Sequence, residues 1–213
     1  MSAGLKGPAK NCALCPRLVS FRDKNADTYP DFFNGAVPAF GAADAWLLIV
    51  GLAPGLKGAN RTGRPFTGDY AGELLYPTLL KTGLAKGSYK AAPDDGVVLK
   101  GCRITNAVRC VPPENKPTPL EQKTCRDFLV AEMKAMPKLK AILSLGQISH
   151  NAVLSTLGVR KVSFPFKHGA LHQLPNGITL ADSYHCSRYN VNTRVLTPEM
   201  FETVVANVKA LAT

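Results

Sequence analysis

Four short apolar runs, set apart by stretches of helical periodicity, constrain this 213-residue chain more than anything else in it. The runs are Trp46–Gly51, Arg103–Val108, Ala141–Gly146 and Ile178–Asp182. Each is too short for a helix and too continuously apolar for a half-exposed strand, so each reads as a strand buried on both faces. Helical patterns fall at Tyr70–Lys81, Pro119–Met136, Gln147–Leu157 and Pro198–Leu211. Two of them open on Thr-Pro, at Thr118-Pro119 and Thr197-Pro198, where a hydroxyl can cap and a proline suits the first turn. Strands alternating with helices predict an α/β fold, a central parallel sheet with helices on both faces. No repeat or low-complexity tract interrupts the pattern, and a single domain over residues 1–213 is expected. Pro112–Pro119 and Ser163–Gly177 read as loops.

The first run empties into GLAPGLKGANRTGRPFTGD, residues 51–69. These nineteen residues hold five glycines, two prolines, two arginines and a terminal aspartate, more than a mere connection needs. Glycine lets backbone approach a ligand closely. Arginine suits phosphate or a planar partner, and Asp69 is candidate chemistry. The loop leaves the carboxyl end of a strand, where open α/β sheets bind ligands. A second polar loop, Ser183-Tyr184-His185-Cys186-Ser187-Arg188-Tyr189-Asn190, follows the last run and should reach the same edge. Asn106 interrupts the apolar run Ile104–Val108, and a buried amide there needs hydrogen-bond partners.

Charge and cysteines narrow the function. Lys and Arg number 26 against 15 Asp and Glu, a net +11 that favours a polyanion, most commonly nucleic acid. No run is long enough to span a membrane, and no basic amphipathic helix points to a lipid surface. The opening stretch has no apolar h-region, so a reducing, cytoplasmic, nucleoid-associated setting without disulfides is expected. Among the six cysteines, Cys12 and Cys15 form a CxxC, and Cys110 and Cys125 flank the second strand's exit. Together they suggest a four-thiolate metal site, open to zinc or to iron–sulfur. Cys102 reads as a buried thiol.

GLAPGLKGANRTGRPFTGD, TNAVRC and HCSRYN resemble the family 5 uracil-DNA glycosylases, an iron–sulfur branch of that superfamily. The resemblance covers nearly the whole chain, and NRTGR followed by FTGD distinguishes family 5 from family 4. It implies a three-layer sandwich around a four-stranded parallel sheet. It implies a 4Fe–4S cluster on Cys12, Cys15, Cys110 and Cys125 with a structural role. The implied reaction is hydrolysis of the N-glycosidic bond of uracil, and of deaminated purines such as hypoxanthine and xanthine, in DNA. The protein is expected to be monomeric.

The resemblance also distributes roles. Where most of the superfamily has Asn, Asp or Glu early in the first motif, this chain has Ala53, which can do no water chemistry. Water activation or cation stabilisation therefore passes to Asp69. Asn106 would hydrogen-bond the edge of the extruded base, His185 would donate toward its developing negative charge, and Phe66 would stack on it. Gly51, Ala53 and Gly55 would supply close backbone. Arg61, Arg64 and Arg188 are the expected phosphate contacts, with Ser187 on the DNA-facing loop and Tyr189 wedging the vacated stack. These loops hold no candidate Schiff-base lysine, so hydrolysis without strand cleavage is expected. Two other readings share some features. A non-catalytic nucleic-acid-binding module with structural zinc has no need of Asp69 and His185. A phosphate-ester enzyme lacks a GxxxxGK motif or a carboxylate cluster for magnesium.

Overall fold

A computed structural model describes residues 7–212. The four expected strands form as β1 (Leu47–Gly51), β4 (Cys102–Asn106), β5 (Ala141–Leu145) and β7 (Thr179–Ser183). All four are parallel, and every residue in them is buried. Burial on both faces is why the sequence shows unbroken apolar runs. The sheet has a fifth strand, β6 (Leu171–Gln173), in the order β4-β1-β5-β7-β6. It pairs antiparallel with β7 inside the stretch read as a loop. Three residues centred on His172, with two of them exposed, leave no apolar signature.

Residues alternate across the sheet. Leu47, Ile49, Ile104 and Leu143 face α3 (Tyr70–Lys81) and α7 (Pro198–Ala210), meeting Leu75, Leu79, Phe201 and Val205. Leu48, Val50, Ile142 and Leu180 face α4 (Pro119–Lys134) and α5 (Gln147–Thr156), meeting Leu129, Met133 and Val153. The helix starts follow the Thr-Pro signals. Thr118 and Glu121 complete a reciprocal capping box, and Thr197 Oγ1 accepts from the Met200 amide. Helix α3 ends where its periodicity does, and α4, α5 and α7 end one or two residues before theirs.

Five further elements carry weaker patterns: α1 (Pro16–Thr28), α2 (Ala59–Thr62) inside the glycine loop, α6 (Arg188–Asn192), and the two-residue strands β2 (Ala85–Lys86) and β3 (Val98–Leu99), which pair as a hairpin. A small third cluster joins α1 to the sheet edge. Leu18 packs with Val108 and Cys125, and Cys15, Cys110, Phe128 and Ala53 lie against them. Arg17 reinforces the docking with two 2.8 Å bonds to Glu121 at the start of α4. Among the described residues no helix is long and apolar enough to cross a membrane.

Candidate active site

Because β1, β4 and β7 run parallel, their carboxyl ends deliver three loops to one edge. Gly51 is paired in register with Asn106. A cavity of about 640 Å³ opens there, lined by the glycine loop, Phe66, Asp69, Asn106, His185 and Arg188 among others. The structure thus brings together the acidic, amide, imidazole and aromatic groups that lie up to 119 positions apart, from Phe66 to His185.

The glycines are needed for what they leave out. A Cβ on Gly51 would stand 2.4 Å from Asn106 Oδ1 and 2.5 Å from the Phe66 ring. One on Gly55 would stand 3.0 Å from Asp69 Oδ2, and one on Gly58 only 2.0 Å from it. The loop therefore wraps the Asp69 carboxylate with bare backbone. Asp69 is also the N-cap of α3, accepting from the Gly72 amide. Burial pushes its carboxyl above the usual range, against the Gly72 and Ala71 amides and Arg61, which pull it down. Arg61 is exposed and its guanidinium donates to the Gly68 carbonyl at 3.3 Å, closing the loop across its own ends.

Asn106 Oδ1 is buried at the cavity and has no hydrogen-bond partner. Phe66 lies beside it, 7% exposed, with φ of +52°, a left-handed conformation that a phenylalanine adopts only under constraint. The Phe66 and His185 ring centroids are 6.1 Å apart. Burial lowers the His185 imidazole to about 4, so it is neutral at pH 7. The Asn190 side chain donates to the His185 carbonyl at 2.8 Å, and Ser187 caps α6. Arg188 projects from that cap over the Tyr70 ring, 5.3 Å from its centroid, and Tyr189 is 74% exposed. Cys186 points the other way, fully buried in the core.

One expected phosphate contact is not available. Arg64 is 5% exposed and makes a bidentate pair with Asp95, both N···O distances being 2.8 Å. Its guanidinium also lies within 5.2 Å of the Phe40 and Tyr76 ring centroids. A guanidinium so enclosed cannot reach DNA, so Arg64 is a structural residue. Conversely, Tyr70 and Asn115 line the cavity without having stood out in sequence.

The four cysteines converge as the spacing implied. Cys12, Cys15, Cys110 and Cys125 line one small apolar cavity with Leu14, Leu18, Val108 and Phe128. Burial raises the Cys110 thiol to about 12, and the other three cysteines add to the rise. Four cysteine sulfurs around one cavity are a donor set that a zinc ion or an iron–sulfur cluster accepts. Behind the set, Arg109 and Arg103 pair with the buried Glu132 of α4. A different trio, His150, His172 and Asp182, also converges. Asp182 lies 2.7, 2.7 and 3.1 Å from Ser144 Oγ, His150 Nδ1 and His172 Nε2, and His150 Nε2 lies 2.9 Å from the Phe164 carbonyl, so the trio's polar atoms are already engaged with protein partners.

A three-layer α/β domain with such a site at the carboxyl edge of its sheet falls in a defined class: residues 38–209 match the uracil DNA glycosylase superfamily model. The chain is 45% identical to a type-5 uracil-DNA glycosylase of Thermus thermophilus, covering 94% of each protein. It is 40% identical to type-5 relatives from Pyrobaculum aerophilum and Mycobacterium leprae, covering 94% of this chain and 88% and 91% of theirs. A type-4 uracil-DNA glycosylase of Pyrobaculum aerophilum matches at 34% identity over 71% of the chain. The chain belongs to the type-5 uracil-DNA glycosylases.

Proposed function

We propose that this protein hydrolyses the N-glycosidic bond of uracil in DNA, and of hypoxanthine and xanthine, leaving an abasic site. The observation that carries the reading is Asn106, which lines a cavity of about 640 Å³ and whose buried Oδ1 has no hydrogen-bond partner. An unmet buried acceptor calls for a donor from a ligand. Uracil, hypoxanthine and xanthine share a lactam edge that presents an N–H beside a carbonyl.

The target base must leave the stack to reach this cavity. Phe66 offers it a ring face, and Asn106 reads its edge. Asp69, held between Gly55 and Gly58, takes a proton from water as the oxygen bonds to C1′. The same carboxylate stabilises the cationic sugar as the C1′–N bond breaks. That bond's electron pair leaves with the base, whose negative charge His185 meets as a neutral N–H donor. Ala53 adds no polar group, which favours tolerance among bases.

Cys12, Cys15, Cys110 and Cys125 would hold a 4Fe–4S cluster. Such a cluster would supply a cross-link between the N-terminal segment and the edge of β4. The resemblance to the iron–sulfur branch of the superfamily favours it over zinc, which the same four sulfurs could also bind. Arg61, Ser187, Arg188 and Tyr189 form the DNA-facing rim. The protein acts as a monomeric single domain, cytoplasmic and beside the nucleoid.

The test is incubation with oligonucleotides carrying uracil, hypoxanthine or xanthine, followed by alkali. Cleavage only after alkali is the expected result. No abasic site in any substrate would overturn the assignment, and cleavage before alkali would overturn simple hydrolysis.

A further inference from the structure

The segment between β2 and β3, residues 87–97, folds back onto the glycine loop and holds it at Arg64, Phe66 and Gly68. Asp95 is its anchor: the carboxylate accepts both guanidinium nitrogens of Arg64 and the amides of Lys90 and Val97. Arg64 Nε then donates to Thr67 Oγ1 at 2.7 Å. Tyr76 of α3 donates to the Pro65 carbonyl at 2.7 Å, and the Tyr89 ring stacks on Tyr76 with centroids 4.7 Å apart. The Tyr89 hydroxyl reaches the Phe66 carbonyl at 3.4 Å, and the Gly68 amide is turned toward its oxygen. The Phe66 carbonyl sits where only a glycine fits beneath: a Cβ on Gly72 would stand 1.9 Å from it and 2.4 Å from the Tyr89 hydroxyl.

We infer that Tyr89 and Asp95 are positioning residues, which hold Phe66 in its left-handed conformation and so aim Asp69. A phenylalanine at φ +52° stays there only when its surroundings fix it. Three residues further on, a carboxylate must meet water and C1′ within a fraction of an ångström. Neither Tyr89 nor Asp95 lines the cavity. Their effect therefore travels through the backbone of residues 64–69. The inference rests on Asp69 acting in the bond-breaking step.

Tyr89→Phe keeps the ring stack and removes the hydroxyl; Asp95→Asn keeps the shape and removes the charge. Single-turnover excision of uracil, binding of an abasic duplex and thermal melting are measured for each, alone and combined with Asp69→Asn. The expected result is a rate about tenfold lower in each variant, with abasic-duplex affinity within about twofold of the parent. In the Asp69→Asn background, Tyr89→Phe should cost little more, because the aimed group is already gone. Parent-like rates in both single variants would overturn the inference. So would a Tyr89→Phe loss that adds in full to that of Asp69→Asn. A parent-like rate in Asp69→Asn itself would instead strike the catalytic assignment.

Discussion

Gly58 and Asp69 exclude one another's bulk: a Cβ on Gly58 would lie 2.0 Å from Asp69 Oδ2 and 2.6 Å from its Cγ. In Gly58→Ala the new methyl should displace the Asp69 carboxylate. Uracil excision should fall about a hundredfold, the scale of a catalytic group moved by an ångström. Single-turnover kinetics with a melting curve check this; a normal rate would mean that Asp69 has no fixed task.

The acid limb of the rate profile should belong to Asp69. Burial raises its carboxyl, so it takes up a proton at higher pH than an ordinary aspartate and the rate falls early on acidification. Asp69→Asn should lower the rate roughly a hundredfold and remove that limb, while an asparagine still caps α3.

Stability should show a separate acid dependence. His185 titrates near 4 when folded against an ordinary value of 6.5, so between these the unfolded chain binds more protons than the native one. Stability is then full above about pH 6.5 and is lost as pH falls toward 4. Asp69, raised on folding, works in the opposite sense above 3.8. Melting temperature against pH, for the parent and His185→Asn, reads the difference: the substitution should flatten the profile between 4 and 6.5.

Metal analysis should return about four irons per chain with a broad absorption near 400 nm, the property of a four-thiolate cubane. Cys110→Ala should lose iron and solubility together, while Cys102→Ala should keep both, since its buried thiol only donates to the Leu84 carbonyl. One zinc and no iron would contradict the cluster.

The arginines should separate by role. Arg188→Ala should weaken binding to every DNA sequence and flatten its salt dependence, as loss of a phosphate contact does. Arg64→Ala should instead lower the melting temperature, because it strands the buried Asp95 carboxylate. Fluorescence anisotropy across a salt series, alongside melting, distinguishes the two.

These contrasts follow how much of the molecule was legible in sequence. The parallel strands were plain because burial on both faces leaves mostly apolar runs, with a few buried polar residues such as Arg103, Asn106 and Asp182 inside them. β6 was hidden because its three residues carry one polar histidine and no stripe. Helix α1 buries only Leu18, Arg22 and Asn25, too little for periodicity to register. Arg64 looked like an anion contact because its true partner, Asp95, lies 31 positions away in a polar segment without pattern. Tyr89 and Asn115 had no local signal at all. The motif loops were readable because their glycines and charges are dense; the residues that brace them were not, because bracing depends on tertiary proximity.

Helix α1 precedes its apolar partners, Val108, Cys125 and Phe128, by about a hundred residues. A nascent chain must therefore carry this helix unsatisfied until those partners have been made. Its single buried leucine leaves little to expose in that interval, so the helix that waits is also among the least prone to stick. Manufacture and docking are far apart in time for this helix, and a chain cut short before Phe128 has nowhere to put it.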